Sequence, residues 1–89
     1  MKYMMTIPLT SSGYKERVKR FLDTGALPPA GATMLGRWHT VGHNKCYMLV
    51  EAANPEPIYQ WVSNWADIIN FEVEPVLEDA QIAKILKAL

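Results

Sequence analysis

The residues best suited to chemistry lie in the middle of the chain, in two stretches separated by a short turn. Arg37 and His39 alternate in the first stretch, and Tyr47 and Glu51 follow in the second. An imidazole changes its charge near neutral pH and can transfer a proton, while a guanidinium can hold an anionic or enolic group. These types predict a site for a small organic ligand. The other interpretation is a polar cross-strand cluster or a dimer contact.

Two carboxylates stand one strand repeat apart near the end of the chain, at Glu72 and Glu74. Such a pair could share general acid–base work or hold a metal, but charge on a solvent-facing or dimer-rim strand is the interpretation that we favour. No catalytic residue is assigned from these residue types. The predicted ligand-binding set is Arg37, His39, Tyr47, Glu51, Glu72 and Glu74.

The residues with metal-ligating atoms do not form a recognisable motif. His39, His43 and Cys46 straddle a turn and match no spacing of zinc sites, so we expect no metal and no cofactor. The single cysteine cannot form an internal disulfide, and the default expectation for an unpaired thiol is a reducing compartment, the cytoplasm. Without an activating neighbour, such a cysteine usually behaves as a small buried apolar residue.

Charge and composition exclude several classes of partner. Nine basic and nine acidic residues give zero net charge, which removes non-specific attraction to phosphate, so no nucleic acid is expected. The apolar start of the chain is too short for a signal-peptide core, and no run approaches a membrane span, so no membrane partner is expected. With 89 residues and 49% hydrophobic content, the chain predicts one globular domain over residues 1–89.

The first elements that position these residues follow from apolar periodicity. Residues 3–9 are rich in β-forming residues and predict a strand. Apolar side chains recur at helical spacing over residues 14–22, after a cap at Ser11 or Ser12 and before Gly25, a residue that favours a helix end. The loop that follows contains two consecutive prolines, which exclude a helix there.

A β-hairpin is predicted over residues 33–52, and the length of its loop decides which side chains share a face. A three-residue loop at 42–44 sets Arg37 and His39 beside Tyr47, whereas a two-residue loop would bury them among apolar groups. We favour the three-residue loop, with Asn44 in the left-handed conformation. The opposite face, under the helices, would then carry Met34, Gly36 and Trp38 with Cys46, Met48 and Val50.

The second half of the chain completes the pattern. Asn54-Pro55 predicts the start of a helix whose stripe includes Trp61 and Trp65, residues 69–76 alternate as a strand, and residues 77–89 predict a closing helix. This order predicts an α+β, ferredoxin-like βαββαβ(α) sandwich, an antiparallel four-stranded sheet with helices on one face. Since the bare face needs a cover, we expect a homodimer that encloses a cavity.

Five short stretches of the chain carry a family resemblance. They are Gly36-Arg37-Trp38, Cys46-Tyr47-Met48-Leu49-Val50-Glu51, Asn54-Pro55, Trp61 with Trp65-Ala66-Asp67, and Phe71-Glu72-Val73-Glu74-Pro75-Val76. Together they resemble the short bacterial proteins of domain-of-unknown-function family 3303, over nearly the whole chain. The resemblance implies the dimeric α+β barrel superfamily, which includes cofactor-independent monooxygenases, stress-response proteins and small-ligand binders.

The resemblance transfers a fold more securely than an activity, because one scaffold hosts unrelated functions. It implies a homodimeric small-molecule-binding protein, with weak oxygenase- or isomerase-like chemistry at His39 as one version of that function. The alternative is a non-catalytic protein-interaction or regulatory module. Whether the chain is an enzyme is left open by the residues themselves.

Overall fold

The computed structural model describes residues 1–89 and contains four strands and three helices. In chain order they are β1 (Lys2–Pro8), α1 (Tyr14–Thr24), β2 (Ala32–His39), β3 (Lys45–Ala52), α2 (Glu56–Trp65), β4 (Glu72–Val76) and α3 (Asp79–Lys87). The strands form one antiparallel sheet in the order β2-β3-β1-β4. The predicted ferredoxin-like α+β fold is therefore confirmed.

The core lies between the sheet and α2. Alternate side chains of β1 and β3 point to the same face, as the period of two of a strand requires, and they pack against three side chains of α2. The buried residues are all apolar: Tyr3, Met5, Ile7, Cys46, Met48, Val50, Ala52, Ile58, Trp61 and Trp65. Because α1 contributes no buried residue, α2 makes the main contact between helix and sheet.

The hairpin has a different register from the predicted one. Its turn comprises residues 41–44 and is closed by the Thr40 amide, which donates to the Lys45 carbonyl at 3.1 Å. His43, not Asn44, adopts the left-handed conformation, with φ 61°. A four-residue turn shifts the pairing by one residue relative to a three-residue loop. The side chains of β2 near the turn therefore lie on the opposite face from the one predicted.

The shifted pairing moves two predicted site residues to the helix-covered face. Arg37 lies opposite Met48, and His39 lies opposite the buried Cys46. A β-bulge interrupts the pairing at Leu35, so that Met34, before the bulge, also stays on the covered face. The prediction that Arg37 and His39 share the open face with Tyr47 is therefore wrong.

The guanidinium of Arg37 can lie on the covered face because backbone carbonyls compensate its charge. Its two terminal nitrogens donate to the carbonyls of Gly25 and Ala26, each at 3.0 Å, and its Cζ atom lies over the Phe21 ring, 5.0 Å from the ring centroid. Gly25 is the C-cap of α1 and Ala26 follows it, so these two carbonyls lie just past the last turn and are free to accept from a side chain. The burial cost that favoured the three-residue loop is thus offset by the end of α1.

Trp38 lies on the open face and not, as predicted, among the core side chains. It is 58% exposed and packs over Gly36, where an added Cβ would come within 2.3 Å of the indole. A residue without a side chain is needed at this position because the ring covers the strand so closely. The open face of the sheet therefore carries a large aromatic ring.

The helix ends follow the predicted signals in part. Gly25 ends α1 in the left-handed conformation, and its amide donates to the Phe21 carbonyl at 2.7 Å. Asn54 caps the start of α2, since its side-chain oxygen accepts from the Glu56 amide at 2.9 Å. The serine cap predicted for α1 is wrong: Gly13 occupies that position and no side chain caps the helix.

The closing helix is shorter than predicted and packs against nothing. Glu78 and Gln81 form a capping box at its start, yet every residue from 77 to 89 is exposed. Its exposed apolar stripe consists of Ile82, Ile85, Leu86 and Leu89. The rest of the chain therefore leaves the apolar face of α3 uncovered.

Candidate functional site

A cavity of about 360 Å³ lies between α1 and the sheet. Strands β1, β2 and β3 line one side, α1 lines the other, and Trp61 and Trp65 of α2 line an end. Of its 17 lining residues, 13 are hydrophobic. Pockets that bind small molecules have volumes of about 300–1,000 Å³ and mostly apolar walls with a few polar groups. This cavity has both properties.

The contacts of α1 are mainly polar, because Phe21 is the one side chain of this helix that packs against the core. Near its start, Arg17 donates to the carbonyls of Thr10 and Ser12 at 2.8 and 2.7 Å. At its end, Arg37 holds the Gly25 and Ala26 carbonyls. No side chain of α1 is buried, so the apolar face of this helix borders the cavity without filling it.

A two-point ion pair joins α1 to the end of α2. The terminal nitrogens of Arg20 donate to the two carboxylate oxygens of Asp67 at 3.0 and 2.8 Å, and one of them also donates to the Asn64 carbonyl at 3.2 Å. The hydrogen bond with Arg20 lowers the pKa of Asp67, and the pKa of Arg20 is raised in turn. This contact holds α1 at a set distance above the sheet.

All four non-hydrophobic residues that line the cavity are basic. They are Arg17, Arg37, His39 and His43. The two arginines are half-buried, whereas both histidines are exposed and therefore lie where the cavity opens to solvent. The His39 ring meets Phe21 edge-on at 5.6 Å, and the His43 ring meets Tyr14 at 6.2 Å. Since no carboxylate lines the cavity, its electrostatic character is positive.

Cys46 forms part of the sheet side of the cavity as a thiol without nucleophilic activation. Burial raises the pKa of its thiol, and the positive charge of Arg37 opposes that shift. A raised pKa reduces the thiolate fraction at neutral pH, which suits a packing residue. No group of three or more His, Cys, Asp or Glu side chains in the fold is arranged to hold a metal ion.

The six predicted ligand-binding residues are divided between the two faces of the sheet. Arg37 and His39 line the cavity, whereas the other four lie on the open face. There, Glu51 pairs in register with Lys2, Glu72 with Thr6, Glu74 with Met4, and Tyr47 with both Thr6 and Trp38. The sheet separates the two groups, so they do not form one site.

Two basic residues of the cavity were missed by sequence reasoning. Arg17 is one of several basic residues on an amphipathic helix, and nothing in the pattern distinguishes it from its neighbours. His43 had a usable signal, its position in the hairpin turn beside the strand that carries His39. The predicted three-residue loop placed His39 on the open face of the sheet. His43 was therefore not expected beside a cavity on the helix-covered face.

Comparisons with known proteins identify a family but no characterised relative. No curated protein and no solved structure matches the chain. None of its helices combines the length and apolar character needed to cross a bilayer. The model of one family, described as "Domain of unknown function (DUF3303)", matches residues 1–89. The chain therefore belongs to the DUF3303 family, in agreement with the resemblance carried by its five short stretches.

Proposed function

We propose that this protein binds a small, largely apolar organic molecule in the cavity between α1 and the sheet. The observation that carries the proposal is a cavity of about 360 Å³ with 13 hydrophobic lining residues and a few basic ones. Water inside such a space finds few hydrogen-bond partners, because most of the wall is apolar. An apolar molecule that displaces it therefore gains free energy.

Binding accounts for the site better than catalysis does. His39 is the residue from the predicted set that could transfer a proton, as oxygenase- or isomerase-like chemistry would require. A catalytic histidine is usually oriented by a second group, most often a carboxylate, and none lines this cavity. The lining residues support recognition of a ligand and leave His39 without the partner that such a reaction uses.

The proposal is tested by filling the cavity with a larger side chain. Val18 lines the cavity and Val41 lies fully exposed in the hairpin turn, so Val18→Trp and Val41→Trp form a matched pair. Binding of N-phenyl-1-naphthylamine, a neutral probe that fluoresces in apolar surroundings, is measured by titration. We expect Val18→Trp to weaken binding at least roughly tenfold, equivalent to about 1.4 kcal/mol. Val41→Trp should bind like wild type.

Two results would contradict the proposal. The first is an absence of probe binding to the wild-type protein. The second is equal binding by both variants, because the probe would then occupy some other surface. Circular dichroism of Val18→Trp serves as the control for folding.

We also propose that two copies of the chain associate through the open face of the sheet. Met4, Trp38 and Tyr47 are large apolar side chains exposed on this face. Glu78, just before α3, pairs with Lys2, an open-face residue, so the exposed helix begins at the edge of the same surface. The resemblance to a superfamily of dimers supports a second copy as the partner.

An interface of ordinary size would have to include both the open face of the sheet and α3. Four strands about 4.8 Å apart, about seven residues long on average, present a footprint of roughly 440 Å². A stable interface buries about 800 Å² on each partner, so the open face alone falls short and α3 must contribute. Light scattering should give about twice the 10.1 kDa of one chain. A mass of a single chain at micromolar concentration would refute this association.

A further inference from the structure

We infer that the ligand of the cavity is an apolar carboxylic acid, with its carboxylate at the opening beside His39 and its apolar part against the core. This inference rests on the proposed binding function and adds the charge of the ligand to it. Four features of the structure support it. They are the positive charge of the lining residues, the free hydrogen-bond donors, the electrostatic effect of Arg37 and the position of the apolar wall.

The first feature is the segregation of charge in a protein that is neutral overall. The chain has nine basic and nine acidic residues, yet the cavity is lined by two arginines and two histidines and by no aspartate or glutamate. The acidic side chains lie on the open face of the sheet and on the outer surfaces of the helices. A cavity with one sign of charge and low-dielectric walls favours a ligand of the opposite charge.

The second feature is the supply of unused donors. Neither ring nitrogen of His39 or His43 forms a hydrogen bond within the protein; each ring makes only an edge contact with an aromatic neighbour. Arg37 engages one N–H of each terminal nitrogen with a backbone carbonyl, which leaves three of the five donors of a guanidinium. A guanidinium can only donate, and an imidazole donates through one nitrogen when neutral and through both when protonated, so these groups match the oxygens of a carboxylate.

The third feature is the electrostatic effect of Arg37 inside the cavity. Its charge acts on the Cys46 thiol in the sense that lowers the pKa of that group, although burial outweighs it. The guanidinium therefore stabilises negative charge at the sheet side of the cavity. Carbonyls at the end of α1 hold it there, so this field needs no rearrangement when a ligand binds.

The fourth feature is the direction in which polarity changes along the cavity. Every buried residue of the lining is apolar, among them Met48, Trp61 and Trp65. The two histidines are exposed, together with three apolar side chains of α1, Tyr14, Val18 and Leu22. A ligand with one charged end can keep that end near solvent and still bury its hydrocarbon part. A fully charged or strongly polar molecule would leave the interior wall without a matching partner.

The test compares two molecules of the same chain length and different charge. Decanoate and decanol are each used to displace N-phenyl-1-naphthylamine from the wild-type protein at neutral pH and low salt. Decanol is the more apolar of the two, so a purely apolar site would prefer it. We expect decanoate to displace the probe at a concentration roughly tenfold lower, as one charge-assisted hydrogen bond provides. Added salt should reduce this preference.

The residue test uses His39→Phe, which keeps a ring against Phe21 and removes both nitrogens. We expect it to bind the neutral probe like wild type and to lose most of the preference for decanoate. Lys15→Met, which removes a positive charge from the exposed side of α1, is the control for net charge and should retain the preference. Probe binding in His39→Phe also shows that the cavity is still formed.

The outcomes separate this inference from the proposed function. If the probe binds and decanol displaces it as well as decanoate does, the ligand class is wrong and the cavity still binds apolar molecules. Equal loss of preference in Lys15→Met and His39→Phe also overturns the inference, since overall charge would then explain it. Failure of the probe to bind wild type overturns both proposals.

Discussion

Arg20 and Asp67 form one of the contacts that position α1. The pair has two-point geometry, and the Arg20 guanidinium also lies over the Trp65 ring at 5.2 Å. Planar guanidinium and carboxylate groups match each other in a way that a lysine could not reproduce. The contact joins α1 to the end of α2, and neither of its two residues lines the cavity.

The lowered pKa of Asp67 makes the contribution of this pair dependent on pH. A carboxyl group whose pKa is depressed in the folded state stabilises that state above its ordinary value of 3.8 and loses this effect as the pH falls through the folded value. We therefore expect Asp67→Asn to melt at a lower temperature than wild type at neutral pH. The two melting curves should converge in acid, where the wild-type carboxyl is protonated.

Asp23→Asn is the matched control for this prediction. Asp23 pairs with Lys19 at 2.8 Å within α1, and both side chains are well exposed. An exposed pair within one helix contributes little, so this variant should melt like wild type at every pH. A constant difference between Asp67→Asn and wild type down to strongly acidic pH would contradict the assigned cause.

At the level of secondary-structure elements, α2 is the helix that holds the sheet in place. It supplies three buried side chains, whereas α1 and α3 supply none. Trp61 and Trp65 both line the cavity as well as the core, so α2 carries packing and site geometry together. The sheet can keep an open space under α1 because α2 provides most of the burial.

Replacing Trp65 by alanine should remove a large part of that contact. Trp65 is 7% exposed, and truncation of a buried tryptophan typically costs about 3–5 kcal/mol. The matched control is Trp38→Ala, the same change at a ring that is 58% exposed on the open face. We expect the control to change the free energy of unfolding by roughly 0.5 kcal/mol at low concentration, where subunits are separate. Urea denaturation measures both, and equal losses would contradict the role assigned to α2.

At the level of the whole molecule, the fold leaves two surfaces uncovered on which large apolar side chains are exposed. One is the open face of the sheet, and the other is the stripe of α3, in which Ile85 is 52% exposed. The longest dimension of the subunit is 51 Å and the shortest is 18 Å, so the subunit is far from spherical. A second copy that covers both surfaces would remove this apolar area from water.

This arrangement predicts that Ile85→Asp separates the subunits without weakening each one. The side chain touches no core residue, so a charge there costs nothing within the subunit but disrupts an apolar interface. Sedimentation as a function of concentration should show weaker association. Lys84→Asp, on the opposite side of α3, is the control and should associate like wild type. Loss of folded structure in Ile85→Asp, or equal association by both variants, would contradict the role of α3.

Local patterns along the chain were sufficient for the order of elements and for the fold class. The alternation in β1, β3 and β4 and the helical stripes of α1, α2 and α3 depend on neighbours in sequence, so they can be recognised before any contact is known. Gly25 and Asn54 likewise act within one turn of the helices that they end or begin. These features follow from backbone geometry and from the side chain at each position.

The composition of the site depended on contacts between distant parts of the chain. The sequence of β2 allows Arg37 to lie on either face of the sheet. The free-energy cost of burying a charge favoured the open face in the prediction. The end of α1 reverses that preference, because the Gly25 and Ala26 carbonyls accept hydrogen bonds from the guanidinium. Folding brings those carbonyls next to β2. Their hydrogen bonds to Arg37 favour the register that has the bulge at Leu35 and the four-residue turn. Arg37 and His39 therefore line a cavity on the helix side of the sheet. The spacing of residues in β2 alone does not predict this position.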